Sequence, residues 1–143
     1  MIRKLILAAL LLASCGQGNA DSADAAQRRP ARPANAQTAL FAGGCFWSAE
    51  RDVEAIPGVV EAVSGFAGGT VANPSYERVV RGGTGHLEAV RVTYDPRKVS
   101  YPKLLDVFWH NIDPVAVNRQ FCDVGDQYRS AIFPIGPQQH SEA

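Results

Sequence analysis

The residues best suited to do chemistry surround Cys45, in the run Gly43-Gly44-Cys45-Phe46-Trp47. This cysteine lies between a predicted strand end and a predicted helix start, where unpaired backbone N–H groups and the helix dipole stabilise a thiolate, the reactive form. The two glycines leave room for a substrate to approach, and the two aromatic rings are suited to enclose an apolar group. A buried cysteine that only fills space is the alternative, and position alone does not decide between them.

A second chemical group, Glu88, lies in a strand predicted over residues 87–94. Alternate residues of a strand share a face, which places Glu88 with Val90, Val92 and Tyr94. Burial on this apolar face raises the pKa of a carboxyl group, and a protonated carboxyl can donate to an oxygen that gains negative charge. The alternative is a strand-end Glu88 that leans into solvent or pairs with Arg91 or Arg119. The pattern leaves both interpretations open.

The elements that position these residues follow from periodicity and turn residues. Strands are predicted over residues 38–42, 59–66, 87–94 and 128–133, and helices over 46–56, 76–80 and, from a Ser100 cap, to about 111. Trp109 is predicted on the buried stripe of the last helix. The order predicts an α+β fold, a two-layer sandwich with helices packed on a mainly antiparallel sheet, as in a ferredoxin-like plait.

Length, charge and cysteine spacing exclude several classes of protein. A chain of 143 residues suffices for one domain, and fourteen basic side chains balance fourteen acidic ones, so we expect no nucleic-acid partner. The three cysteines at 15, 45 and 122 are too widely spaced for a disulfide framework or a metal knuckle. Each cysteine therefore needs its own explanation.

The first 37 residues are typical of an export signal and a tether. Arg3 and Lys4 precede an apolar run over 5–13, which predicts a signal peptide over 1–14. The LASC run ending at Cys15 resembles the bacterial lipobox and predicts lipidation of Cys15, although a plain signal peptide cleaved nearby is the alternative. Residues 15–37 predict a flexible tether, and residues 38–143 the domain. We expect export from a bacterial cytoplasm and a periplasm-facing domain, anchored by lipid to the outer membrane.

Five ordered motifs resemble the peptide methionine sulfoxide reductase A family. They are GGCFWSAE at 43–50, GFAGG at 65–69, NPSYE at 73–77, GTGHLEAVRVTYDP at 83–96 and QFCDVGDQYRSAIF at 120–133. The resemblance implies a peptide-methionine (S)-S-oxide reductase that acts on methionine S-sulfoxide, free or in proteins, and repairs oxidised proteins. It implies no metal or organic cofactor, but an external thiol reductant such as thioredoxin or dithiothreitol.

The resemblance also assigns roles to residues around the reacting sulfur. Cys45 is the nucleophile, which becomes a sulfenic acid after methionine leaves. Glu88 protonates the sulfoxide oxygen, and Tyr76 and Tyr128 are the two hydroxyls that hydrogen-bond it. This agrees with the reactivity inferred above for Cys45 and Glu88, whereas the tyrosines come from the resemblance alone.

Further assignments concern the substrate and the resolving thiol. By resemblance, Phe46 and Trp47 hold the methyl group of the substrate, and Asp123 helps to hold its backbone, often through water. Relatives often carry resolving cysteines in a C-terminal tail, and we expect this C-terminal segment to be missing here. Cys122 is then the candidate resolver, but a disulfide needs Cα atoms within about 7 Å, so we favour a small apolar filler. Phe66 stands where many relatives have a tyrosine, a difference that loses one hydroxyl but changes none of the residues assigned to the reaction.

Two other functions remain open at this point. A cysteine hydrolase or acyl-transfer enzyme would need a histidine hydrogen-bonded to Cys45. His110 with Asp123 would serve, as would His86, although helical spacing places His110 on a polar flank in solvent. The other alternative is an inactive surface lipoprotein with a truncated domain. In either case we expect a monomer.

Overall fold

The structure is a computed structural model and describes residues 32–143. The predictions for the signal peptide, Cys15 and most of the tether lie outside the described residues. Within residues 32–143, no helix has the length and apolar character needed to cross a membrane.

The described residues confirm the α+β fold expected from the sequence. In chain order the elements are β1 (Gln37–Ala42), α1 (Phe46–Glu54), β2 (Val59–Ala67), α2 (Tyr76–Val80), β3 (Leu87–Tyr94), α3 (Tyr101–His110), β4 (Arg119–Gln120), β5 (Asp123–Val124), a 3₁₀ turn (Asp126–Tyr128), β6 (Ala131–Ile132) and α4 (Gly136–Glu142). Four strands form one antiparallel sheet in the order β2-β3-β1-β6, while β4 and β5 form a separate hairpin. This order is that of two interleaved βαβ units, as the ferredoxin-like prediction requires.

One face of the sheet is buried under α1 and α3. The main core joins inward side chains of β1, β2 and β3 to those of the helices: Ala39, Phe41, Phe46, Ala62, Val90, Val92, Tyr94, Val99, Tyr101, Leu104, Leu105 and Phe108. The Ser100 side chain accepts the Lys103 N–H at 3.3 Å, which satisfies one of the free donors at the start of α3. Apolar burial therefore fixes β3, the strand that carries Glu88, beneath the helix that follows Cys45.

The opposite face carries a smaller cluster, formed by Ala42, Leu87 and Ala89 with partly buried neighbours from β1, β2 and the β6 region.

Three predictions near the site, two of element bounds and one of burial, need correction. The strand predicted over 128–133 is wrong for most of its length, because residues 126–128 form a 3₁₀ turn in which the Tyr128 N–H donates to the Gly125 carbonyl at 3.1 Å. The helix predicted to residue 56 ends at Glu54. Trp109, predicted to be buried, is 48% exposed and packs edge-on against Phe108.

Candidate active site

Cys45 lies at the start of α1 as the N-cap residue. Its backbone is extended, with φ −58° and ψ 114°, and its carbonyl accepts the Ala49 N–H at 3.2 Å. The side chain is half-buried and makes no capping hydrogen bond. The thiol therefore lies at the N-terminal end of α1 and is not engaged as a capping group.

The two glycines before Cys45 are packed closely against neighbouring side chains, and the room that they leave for a substrate stays a prediction. A methyl group at Gly43 would lie 3.0 Å from Ile112 Cγ2 and 3.3 Å from Phe108. Gly44 has φ +95°, and a methyl group there would lie 2.8 Å from Gln120 Cβ. Contact with α3 on one side and with β4 on the other fixes the path of the chain into Cys45.

Glu88 is buried on the apolar face of β3, as the strand alternation predicts. It is 2% exposed, and its Oε2 accepts the N–H of Phe46, the residue after Cys45, at 3.0 Å. The pKa of Glu88 is raised above its ordinary value, chiefly by burial and further by the nearby charge of Asp123, against the opposing effect of the Phe46 N–H. The Glu88 carboxyl bonds the Phe46 N–H and does not form the alternative pair with Arg91 or Arg119.

An aromatic cluster borders this acid and consists of Phe46, Trp47, Phe66 and Tyr76. The Phe46 ring lies 5.4 Å from Trp47, 5.6 Å from Phe66 and 6.2 Å from Tyr76 between centroids, and Trp47 stacks on Tyr76 at 5.9 Å. Phe46 is buried, whereas Trp47 and Tyr76 are 64% and 40% exposed. The cluster thus presents an apolar wall with its outer rings open to solvent.

Tyr128 and Asp123 complete the group around Glu88. Tyr128 lies at the end of the 3₁₀ turn, and Asp123 lies in β5. The pKa of Tyr128 is raised, first by burial and then by the charge of Glu88, with smaller contributions from Tyr76 and Asp123. Glu88, Tyr76 and Asp123 therefore lie close enough to Tyr128 to raise the pKa of its phenol.

A cavity of about 140 Å³ opens on the other side of α1, between α1 and α3. Cys45 and Asp123 both border it, and the rest of its lining is mostly apolar: Phe41, Gly43, Ser48, Ala49, Asp52, Val53, Val90, Leu104, Val107, Phe108, Asn111, Ile112 and Phe121. Cys45 therefore stands between the aromatic cluster and this cavity.

A family model described as peptide methionine sulfoxide reductase matches residues 37–143. The chain belongs to this family. It is 53% identical over 111 residues to the peptide methionine sulfoxide reductase MsrA of Cronobacter sakazakii, covering 78% of this chain and 52% of that protein. It is 49% identical over 122 residues to the MsrA of Rhodospirillum centenum, covering 85% of this chain and 56% of that protein. The chain thus spans about half the length of these curated relatives.

A solved structure of a family member has the same fold. The methionine sulfoxide reductase A of Corynebacterium diphtheriae superposes with a TM-score of 0.73 at 40% identity, covering 76% of this chain and 53% of that one. Mxr1 from Saccharomyces cerevisiae in its reduced form superposes with a TM-score of 0.66 at 33% identity, covering 71% of this chain and 60% of that one.

In residues 32–143 no group of three or more His, Cys, Asp or Glu side chains is arranged to hold a metal ion.

Cys122 lies in the two-residue turn that joins β4 to β5 and is an exposed free thiol. The interpretation as a buried filler is therefore wrong. Its neighbours Phe121 and Asp123 both line the cavity that Cys45 borders. In this turn the Phe121 backbone has φ +48°, a left-handed conformation.

The histidines are occupied elsewhere, which disfavours the hydrolase alternative within this family. The ring of His86 accepts the Gly69 N–H at Nδ1 and bonds the Val71 carbonyl through Nε2 at 2.9 Å. The His110 side chain is 77% exposed and bonds the Asp106 carbonyl of its own helix at 2.7 Å, as its polar-flank position predicts. The third histidine, His140, is exposed on α4.

Sequence reasoning missed two supports of the site. Phe66, to which no role was assigned, packs on Phe46 and lies opposite Glu88 in the sheet register. Glu50 accepts the Ser64 N–H at 2.7 Å and also bonds the Ser64 hydroxyl, which joins α1 to β2. Strand alternation in β2 would have placed Phe66 toward the helices, but no sequence pattern pairs Glu50 with Ser64.

Proposed function

We propose that this chain reduces methionine S-sulfoxide to methionine, with Cys45 as the nucleophile. The observation that carries the proposal is the hydrogen bond between the Phe46 N–H and the Glu88 carboxyl, at 3.0 Å. It fixes a buried acid of raised pKa beside the peptide unit that follows Cys45. A nucleophilic sulfur and a proton donor held together are what attack on a sulfoxide requires.

The reaction transfers one oxygen atom from the substrate sulfoxide to the sulfur of Cys45. The Cys45 thiolate attacks the sulfoxide sulfur, and Glu88, assisted by Tyr128 and Tyr76, donates a proton to the oxygen as it gains negative charge. The bond formed between the two sulfurs and the sulfur–oxygen bond of the substrate then break as the oxygen passes to the Cys45 sulfur. Methionine leaves as the thioether, and Cys45 is left as a sulfenic acid. The sulfoxide is thereby reduced by two electrons and Cys45 is oxidised by two.

We propose the aromatic cluster as the binding surface for the substrate. Phe46 and Trp47 would receive the methyl group that the sulfoxide sulfur carries, because both rings are apolar and border the acid. Asp123 would bind the polar backbone of the substrate. This arrangement suits protein-bound sulfoxide, since Trp47 and Tyr76 are exposed to an approaching chain.

Recovery of the thiol needs a second thiol, which condenses with the sulfenic acid, releases water and leaves a disulfide. Cys122 is the candidate resolver, supported by its exposure between two residues of the cavity lining. A dithiol reductant of the thioredoxin class would then reduce the disulfide. Dithiothreitol can replace both thiols in an assay.

The test is reduction of a chiral methionine sulfoxide by the purified chain in dithiothreitol. We expect the S epimer to be consumed and the R epimer to remain, with no product from Cys45→Ser. The matched control is Cys122→Ser, which should retain the dithiothreitol-driven rate. Absence of thioether from either epimer, or an active Cys45→Ser variant, would refute the proposal.

The resolver is tested separately with thioredoxin as the only reductant. If Cys122 resolves the sulfenic acid, Cys122→Ser loses thioredoxin-driven turnover but keeps the dithiothreitol-driven rate. Unchanged turnover with thioredoxin would remove Cys122 from this role.

We further propose export and lipidation at Cys15, on the basis of the apolar run over 5–13 and the LASC motif. The test is incorporation of labelled palmitate by bacteria that express the full chain. Cys15→Ala should abolish the label. A wild-type chain that stays unlabelled would contradict lipidation.

A further inference from the structure

Gln120 is a polar side chain with no exposed surface, in a hairpin that is otherwise largely exposed. Its Oε1 accepts the Asp113 N–H at 2.8 Å, and its Nε2 donates to the Asp113 carbonyl at 2.8 Å. Both halves of the amide are thus paired with the backbone of a single residue. This pair closes the loop between α3 and β4 and satisfies two backbone groups that have no strand partner.

The same side chain lies against the turn that precedes the nucleophile. Gly44 has φ +95°, and a methyl group there would lie 2.8 Å from Gln120 Cβ and 3.4 Å from its Cγ. No side chain larger than hydrogen fits between them, so Gln120 packs directly on the backbone of Gly44. The chain reaches Cys45 one residue later.

Gln120 also faces Asp123 across the hairpin, since the two are antiparallel partners in β4 and β5. Asp123 in turn borders the cavity that Cys45 borders and influences the pKa of Glu88. Gln120 therefore contacts both the turn before Cys45 and the strand of Asp123.

We propose that Gln120 is a positioning residue that sets the place of Asp123 relative to Cys45. By locking the loop at Asp113 and packing on Gly44, it holds the substrate-binding carboxylate in register with the nucleophile. This inference rests on the proposed function, because it needs Cys45 to attack and Asp123 to bind substrate. Displacement of a binding group by about 1 Å can cost about 100-fold in rate.

The first test compares Gln120→Met with the wild type, using a peptide sulfoxide and dithiothreitol. Methionine keeps the length and apolar contact with Gly44 but loses both hydrogen bonds to Asp113. We expect KM to rise about 10-fold or more with little change in kcat, because substrate binding is what the shifted Asp123 loses. An unchanged KM would overturn the proposal.

A second variant, Gln120→Glu, separates positioning from simple loss of structure by its pH profile. A protonated carboxyl has one donor and one acceptor and reproduces the amide pair with Asp113, whereas a carboxylate has no donor for the Asp113 carbonyl. Burial raises the pKa of such a carboxyl. The ratio of variant to wild-type kcat/KM should therefore rise as the pH falls from 8 to 5, while the ratio for Gln120→Met stays flat.

The matched control is Gln139, a buried glutamine whose amide also accepts from one backbone group and donates to another, near the start of β1 and not at the Cys45 turn beyond its end. Its Oε1 accepts the Ile135 N–H at 2.9 Å, and its Nε2 donates to the Thr38 carbonyl at 2.8 Å. Gln139→Met and Gln139→Glu should lower the melting temperature without changing KM or the pH profile. Equal kinetic effects at both glutamines would show a general loss of structure and would overturn the proposal.

A double-mutant cycle with Asp123→Asn completes the test. If Gln120 acts through Asp123, Gln120→Met should add little to the KM of Asp123→Asn. Additive effects would contradict the proposal. Failure of the proposed function is distinguishable, because the wild type would then reduce no sulfoxide at all.

Discussion

Glu88 and Asp95 stand at opposite ends of β3 and are equally buried, each with 2% of its surface exposed, but their pKa values shift in opposite directions. Burial raises the pKa of Glu88, whose near neighbours are a backbone N–H and another acid, Asp123. The Arg97 guanidinium donates twice to Asp95, at 3.0 and 2.9 Å, and holds the pKa of Asp95 at about 2.

The difference teaches that burial alone does not set the role of a carboxyl group. Asp95 has a cation and serves as a fixed anion that joins the end of β3 to the next turn. No cation contributes to the pKa shift of Glu88, which therefore remains able to hold and release a proton. This contrast can be tested at both ends of β3.

The largest effect is expected on the chemistry of Glu88. Glu88→Gln keeps an oxygen to accept the Phe46 N–H but cannot donate an acidic proton to the sulfoxide, so the initial rate should fall about 100- to 1,000-fold. The rate is measured with the S-sulfoxide and dithiothreitol. Glu54→Gln, an exposed carboxyl at the end of α1, is the control and should keep the wild-type rate. A mild loss at Glu88 would remove it as the acid.

A smaller loss is expected for the phenol that the Glu88 charge influences. Tyr128→Phe removes one hydrogen bond to the developing charge and should lower kcat about tenfold. Tyr101→Phe is the matched control, because the Tyr101 hydroxyl is buried without a hydrogen-bond partner. Its removal should leave the rate unchanged and stabilise the fold slightly. Equal rates for both variants would show that Tyr128 does not touch the reacting oxygen.

At the other end of β3 the expected effect is on stability alone. Since the pKa of Asp95 is lowered from 3.8 to about 2, its contribution is fully present above pH 4 and is lost as the pH falls through 2. Asp95→Asn should therefore lower the melting temperature at pH 7, and the difference should shrink toward pH 2. Asp106→Asn, whose exposed pair with Lys103 is screened by solvent, should change it little. A loss of melting temperature that does not vary with pH would contradict the view that the charge of Asp95 causes it.

The smallest effect is expected on the thermal stability of Glu88→Gln. This substitution should stabilise the fold, whereas Asp95→Asn should destabilise it. A raised pKa means that the folded chain prefers the protonated acid, so the wild type loses stability as the pH rises through the folded pKa. Glutamine carries no such cost. Thermal unfolding should thus show a variant more stable than the wild type at pH 8, with the gap closing below pH 4.5. A variant less stable at pH 8 would contradict the raised pKa.

The regular half of this molecule could be predicted from its sequence. The observed bounds of α2 and β3 are those predicted, because β-strand alternation and a serine N-cap leave local signals. The same alternation places Glu88 on the face of Val90 and Val92 but leaves open whether its carboxyl is buried there or leans into solvent. The cysteine at a helix start follows from the glycine pair and the aromatic residues around it.

The irregular half could not be predicted, because it depends on polar side-chain contacts that leave no periodic pattern in the sequence. The bond between Asp95 and Arg97 is one such contact. The β4–β5 hairpin depends on left-handed backbone at Asn118 and Phe121 and on the buried amide of Gln120. The α4 sequence has no apolar stripe, and Gln139 joins it to β1 by a hydrogen bond to the Thr38 carbonyl.

That glutamine has a consequence for how copies of the chain behave toward one another. β6 pairs only with Phe41 and Ala42, which would leave the outer edge of β1 open to strands from other molecules. The Phe133 N–H donates to the Leu40 carbonyl at 3.0 Å, and Gln139 Nε2 donates to the Thr38 carbonyl at 2.8 Å. The last helix therefore protects the sheet margin against edge-to-edge aggregation, with a side chain in place of a strand.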